Sequence, residues 1–213
     1  MIQIIQENKF FIVLNKPTGV SVHNEKPSLV EFLEENKKPL HFVSRLDRET
    51  SGLMVIAKDP EMHSELAASL EKGDKTYRAL LRGPWKKPKE KDLAWNWALS
   101  DKAEGRFNPQ GVKADRVECQ SQAKLVRTNK YFSEVLVNLY TGRQHQIRKH
   151  AALAEQPVVG DNRYNEKKYN QMIEQRYAVN RLWLHCEKLD FEFKEKQYNY
   201  ENKLNLDVFF KST

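Results

Sequence analysis

Ser44-Arg-Leu-Asp-Arg-Glu-Thr-Ser-Gly52 runs without a break into Leu53-Met-Val-Ile-Ala57. An acid stands between two arginines, hydroxyl residues and a glycine follow it, and an apolar run begins at once. The apolar run reads as a strand, and Thr50, Ser51 and Gly52 suit a tight turn that fixes the backbone of Asp47. Nearby positive charge would hold the Asp47 carboxylate ionised. On this segment alone, an acid poised for chemistry and an acid held in a salt-bridged turn are both open readings.

Working outward, Phe10-Phe-Ile-Val-Leu14 is a buried strand entering the Pro/Gly turn Asn15-Lys-Pro-Thr-Gly19. Leu29, Val30 and Leu33 predict a short amphipathic helix over 27–36 that opens at Pro27. On the other side, Asp59 as N-cap, Pro60 in the first helical position and Leu66 and Leu70 on one face predict a helix over 60–72, with Gly73 as its left-handed C-terminal residue. Lys75-Thr-Tyr-Arg-Ala-Leu-Leu-Arg82 then reads as a strand, which gives the order strand, helix, strand, helix, strand. Residues 84–116, with Lys86, Lys87, Lys89, Lys91, Trp85, Trp95 and Trp97, are an irregular hairpin, loop or insertion. Its lysines and tryptophans are either contacts to a polyanionic partner or a solvated basic loop with its indoles in the core. Ser133–Tyr140 alternates like a half-buried strand, and Ile147, Ala151, Ala152 and Leu153 support a helix to about residue 155. A surface helix or insertion over 166–176 and strands at Arg181–His185 and Leu189–Phe193 complete the chain. The fold class is α+β, a single domain over 1–213 with a mixed, largely antiparallel sheet flanked by helices.

The chain has 213 residues and a formal charge of +7, from 36 Lys and Arg against 29 Asp and Glu. That length suffices for one large core. The basic balance favours a polyanionic partner if the excess is clustered, and otherwise describes only a soluble basic protein. Cys119 and Cys186 stand far apart with no Cys or His at metal-ligand spacing, so they read as reduced core thiols, and neither a disulfide framework nor a metal site is expected. The beginning lacks a secretory pattern and no apolar run approaches membrane-spanning length. The expectation is a cytoplasmic monomer without a membrane partner.

A second constellation is Thr141-Gly-Arg-Gln-His-Gln-Ile-Arg148, where a strand ends and cationic and amide side chains enter the first turns of a helix. Helix N-termini attract anions, so Arg143, His145 and Lys149 could meet phosphate; a solvated helix face is the plainer alternative. The combination is more telling than either part. Asn15-Lys-Pro-Thr-Gly-Val20, Arg45-Leu-Asp-Arg-Glu-Thr-Ser-Gly52, Lys75-Thr-Tyr-Arg-Ala79, Thr141–Arg148 and Pro157-Val-Val-Gly-Asp161 occur in the order and approximate spacing of the RluA family of RNA pseudouridine synthases, which the chain resembles from about residue 8 to about 193.

The resemblance implies an isomerase that needs no cofactor and acts on ribosomal or transfer RNA. It implies Asp47 as the essential carboxylate, Tyr77 as the ring that packs on the flipped uracil, and Arg148 as the cation that pairs with the aspartate. Arg45, Arg143, His145, Gln146 and, beside them, Lys149 would line the site or approach RNA. Ser44 and Gln156 stand where relatives commonly carry His, which touches RNA contacts more than chemistry. No S4-like RNA-binding module is expected. Two competing readings are an inactive RNA-binding protein of the same fold, which would have lost Asp47, and an unrelated acid/base enzyme for a phosphorylated metabolite, which leaves the motif register unexplained.

Overall fold

Residues 2–23, 25–39, 41–102 and 105–211 are described in the computed structural model, and the chain divides into two units. The first comprises residues 1–76 with 185–203, the second residues 77–184 with 204–213. Among the described residues no helix is long and apolar enough to cross a membrane.

In the first unit β1 (Gln3–Glu7) pairs antiparallel with β2 (Phe11–Lys16), and β2 pairs antiparallel with β4 (Ser51–Ala57). The short β3 (His41–Phe42) also pairs with β4. β4 runs parallel to β9 (Leu184–Phe193) at Ser51↔His185 and Gly52↔Cys186, and β9 returns antiparallel as β10 (Lys196–Glu201). Every residue of β4 is buried, which explains why its sequence is continuously apolar rather than alternating. Ile12, Leu14, Met54 and Ile56 pack with Leu29 and Leu33 of α1 (Leu29–Glu35). Phe11 turns the opposite way and meets the rings of Phe191, Phe193 and Tyr198.

Two helix ends differ from expectation. α1 is opened by Ser28, whose Oγ accepts the Glu31 N–H at 3.2 Å, rather than by Pro27. α2 (Pro60–Lys72) has the expected limits and buries Leu66 and Leu70, but Gly73 is extended, with φ −78° and ψ 168°. Gly73 is needed for closeness instead: a Cβ there would stand 2.4 Å from the Asp190 carbonyl oxygen.

In the second unit β8 (Phe132–Leu139) pairs antiparallel with β7 (Ser121–Thr128), and β7 with β6 (Asp92–Trp95). The inner part of β5 (Asp74–Arg82) meets the Pro157–Val159 segment through Val159 N to Leu80 O at 2.9 Å and Arg82 N to Pro157 O at 3.0 Å. Trp183 precedes β9 instead of belonging to a strand from Arg181, yet its carbonyl accepts the Leu80 N–H and its own N–H donates to the Val159 carbonyl, each at 3.0 Å. α3 (Gln146–Leu153) begins only at Gln146, and α4 (Lys167–Tyr177) is the expected surface helix. Leu80, Phe132, Val159, Ile173, Trp183, Leu206 and Phe209 form this unit's core. Within 84–116, where a loop or irregular hairpin was expected, Asp92–Trp95 is the regular strand β6, and a Leu99↔Val117 bridge closes the part that follows it, of which residues 103 and 104 lie outside the described residues. Trp85 and Trp95 are buried, whereas Trp97 is exposed.

Candidate active site

Asp47 lies in the turn between β3 and β4, half-buried, with its carbonyl accepting the Thr50 N–H at 3.1 Å. This turn is held by the Asn15–Gly19 motif, which the sequence showed only as a separate signature. Lys16 is wholly buried, and its Nζ donates to the carbonyls of Val20 at 2.8 Å, Arg48 at 3.0 Å and Pro17 at 3.1 Å. Gly19 N donates to Arg48 O at 2.9 Å and Thr18 Oγ1 to Glu49 O at 2.6 Å. Three carbonyl dipoles thus face one buried ammonium, which fixes both loops to one another.

β4 then leaves the turn through Ser51 and Gly52. Ser51 Oγ lies 2.8 Å from His185 Nδ1, and His185 Nε2 lies 2.7 Å from the Asn202 carbonyl. A carbonyl only accepts, so Nε2 carries the proton and Nδ1 takes the Ser51 hydroxyl hydrogen in the neutral ring. Gly52 has φ +125°, and a Cβ there would meet Cys186 N and O at 2.4 Å, so only glycine allows β9 this close behind the Asp47 turn.

Tyr77 and Arg148 lie in the second unit, both buried. Tyr77 is on β5. Arg148 is on α3, where Nε donates to Asp161 Oδ2 at 2.7 Å and Nη2 to Asp161 Oδ1 at 2.9 Å. Asp161 Oδ1 also accepts the N–H groups of Arg163 at 2.9 Å and Tyr164 at 3.0 Å. The Pro157–Asp161 motif therefore ends on the carboxylate that aims Arg148, a role its sequence had not been given. His145 caps α3 with a left-handed backbone at φ 54° and bonds Tyr164 Oη through Nδ1 at 3.1 Å.

Gln146 is structural. Its Oε1 accepts from Thr141 Oγ1 at 2.8 Å and Arg143 N at 3.1 Å, while Nε2 donates to Gln120 O and Ser121 Oγ, each at 2.9 Å. Lys149 requires a correction: it is not a surface phosphate contact but is fully buried, with Nζ on the Ser100 carbonyl at 2.9 Å. The eight-residue α3 buries Gln146 through Ala151 in succession, so it has no solvated face in its first turns. His150 follows, with Nε2 3.0 Å from the Trp97 carbonyl and Nδ1 3.2 Å from Ser121 Oγ. Burial pushes its pKa down to about 4, and burial pushes the adjacent Cys119 thiol up. Arg45 and Arg143 are exposed, as RNA contacts require. Among the described residues no cluster of three His, Cys, Asp or Glu could hold a metal ion.

With this geometry in place, comparison with known proteins is specific. Residues 10–153 match the family model described as RNA pseudouridylate synthase, a span that runs across the Asp47 turn, Tyr77 and Arg148. The chain is similar to a ribosomal large subunit pseudouridine synthase C of Buchnera aphidicola subsp. Baizongia pistaciae, 33% identical over 98% of this chain and 68% of that one. It is also similar to a tRNA pseudouridine synthase C of Vibrio vulnificus, 30% identical over 90% of this chain and 85% of that one. Among solved structures, human RNA pseudouridylate synthase domain containing 1 superposes with a TM-score of 0.78 at 20% identity, covering 99% of this chain and 94% of that one, and so shares the fold.

Proposed function

The chain belongs to the RluA family of RNA pseudouridine synthases, and from that premise we propose that it isomerises specific uridines of ribosomal or transfer RNA through Asp47. The reaction breaks the N1–C1′ bond, turns the freed uracil and joins C5 to C1′, with the proton lost at C5 balanced by one gained at N1. Nothing is oxidised or reduced. The chemistry needs an ionised carboxylate near C1′, a cation that keeps it ionised, and a pocket that retains the detached base. Asp47, Arg148 and Tyr77 take those roles in our reading, and Arg45 and Arg143 neutralise phosphates.

Extruding a stacked base costs a few kcal/mol, which ring stacking and phosphate contacts offset. The observation that carries the assignment is the family match over residues 10–153, which contains all three residues. The rigid seating of Asp47 by Lys16 and of Arg148 by Asp161 supports it, because a reacting carboxylate and its cation must be fixed before the substrate arrives. An RNA substrate supports a cytoplasmic location. The test is to map pseudouridines in total RNA from a strain lacking the gene, from its parent and from the complemented strain. One or a few ribosomal or transfer RNA sites should vanish in the deletion and return on complementation. An unchanged map would overturn the proposal.

A further inference from the structure

We propose that the Arg106-Phe107 turn is a stacking platform for an unpaired base of the RNA substrate. This deepens the family reading and rests on it for the identity of the ligand. Phe107 is 87% exposed, whereas the next most exposed large apolar side chain among the described residues, Tyr140, is 51% exposed. Such exposure is ordinary on a frayed loop, but this ring stands on a built one. Residues Gly105–Phe107 form a single 3₁₀ turn, and Gly105, at φ +75°, brings it against the next loop, where a Cβ would lie 3.2 Å from the Arg163 carbonyl oxygen.

The foot of the same hairpin is bolted to α3 by the two residues that follow Arg148. Lys149 Nζ holds the Ser100 carbonyl at 2.9 Å and His150 Nε2 holds the Trp97 carbonyl at 3.0 Å. Across the hairpin Ser100 N bonds Gln110 O at 3.0 Å and Gln110 Nε2 bonds Ala98 O at 2.8 Å. The Arg163 side of the turn leads to Asp161, the carboxylate that aims Arg148. Phe107 is thus tied to the helix of the candidate cation from two directions, a fixed position for a group that meets the substrate.

The chemistry of the turn selects a nucleotide. The Arg106 guanidinium lies 4.6 Å from the centre of the Phe107 ring, which places one π-surface and one cation together. Those are the two elements that bind an unstacked base and its phosphate. Lys113 is exposed on the same hairpin, where Lys102 pairs with Asp115 at 2.9 Å, in a chain of net charge +7.

The probe is RNA extracted from the deletion strain, and the readouts are equilibrium binding over a series of salt concentrations and steady-state pseudouridine formation. Phe107→Ala should bind about tenfold more weakly at every salt concentration with an unchanged log–log slope, because stacking is not electrostatic. Its KM should rise while kcat holds, and Phe107→Tyr should restore both. Arg106→Ala should reduce the slope by about one unit. Wild-type affinity and KM in Phe107→Ala would overturn the platform, as would a change in sedimentation in place of RNA affinity, which would mark a contact with a second copy. Turnover by the wild type tests the family reading separately, and the affinity ratio of Phe107→Ala to wild type decides the inference whether or not turnover is seen.

Discussion

At the scale of single residues, the candidate cation is given a counter-charge within its own unit. Asp161 seats Arg148 by two parallel hydrogen bonds, with the carboxylate wholly and the guanidinium almost wholly out of water. Removing one charge from such a pair costs far more than the intact pair contributes. Asp161→Asn should therefore lower stability by about 3 kcal/mol in urea unfolding, and a change below 1 kcal/mol would show that Arg148 is seated by something else. His150 makes a pH-dependent prediction. Its folded pKa of about 4 lies below the ordinary 6.5, so the unfolded chain binds the extra proton first as pH falls. Its contribution is fully present above pH 6.5 and is lost as pH falls toward 4, by at most about 3 kcal/mol. His150→Gln should flatten the stability profile between pH 6.5 and 5; equal slopes in both proteins would refute that assignment. Asp47, Arg148 and Tyr77 could be singled out as candidates because they sit in motifs. Lys149 was misread because an eight-residue stretch with lysine and histidine looks solvated, and nothing local reveals that Ser100 and Trp97 supply the buried carbonyls it needs.

At the scale of elements, the strands and helices flanking the Asp47 turn were readable from apolar runs and end signals, and β2, β4, α2, β5 and β8 lie where the pattern put them. β1, β6 and β10 were not, because edge strands with polar residues on one face, such as Gln3–Glu7 and Lys196–Glu201, owe their form to a partner rather than to their own composition, and neither was β7, which is paired on both sides by β6 and β8. The glycines teach the same point. Gly73 was read as a cap and proves to be a spacer, and Gly52 is both a positive-φ residue and a point of close approach. Gly52→Ala forces a Cβ to within 2.4 Å of Cys186 backbone atoms, which no side-chain movement relieves. The expected outcome is loss of the β4·β9 register, seen as a chain that no longer unfolds cooperatively. Wild-type cooperativity and activity would contradict it.

At the scale of the whole molecule, two units share the motifs, with the carboxylate on one and the ring and cation on the other. Sequence spacing exposed the set of motifs, while their pairing as Lys16 with the Asp47 turn and Asp161 with Arg148 required the fold, since each pair is joined by contacts many residues apart in the chain. The net charge of +7 gives the chain long-range attraction for RNA, so affinity should weaken as salt rises. The central claim is narrower than binding: that the carboxylate of Asp47 reacts. Asp47→Asn keeps the size of the side chain and removes its charge, so it separates chemistry from recognition. Pseudouridine formation on RNA from the deletion strain should fall to background in Asp47→Asn while affinity for the same RNA stays close to wild type. Substantial residual turnover would contradict the account.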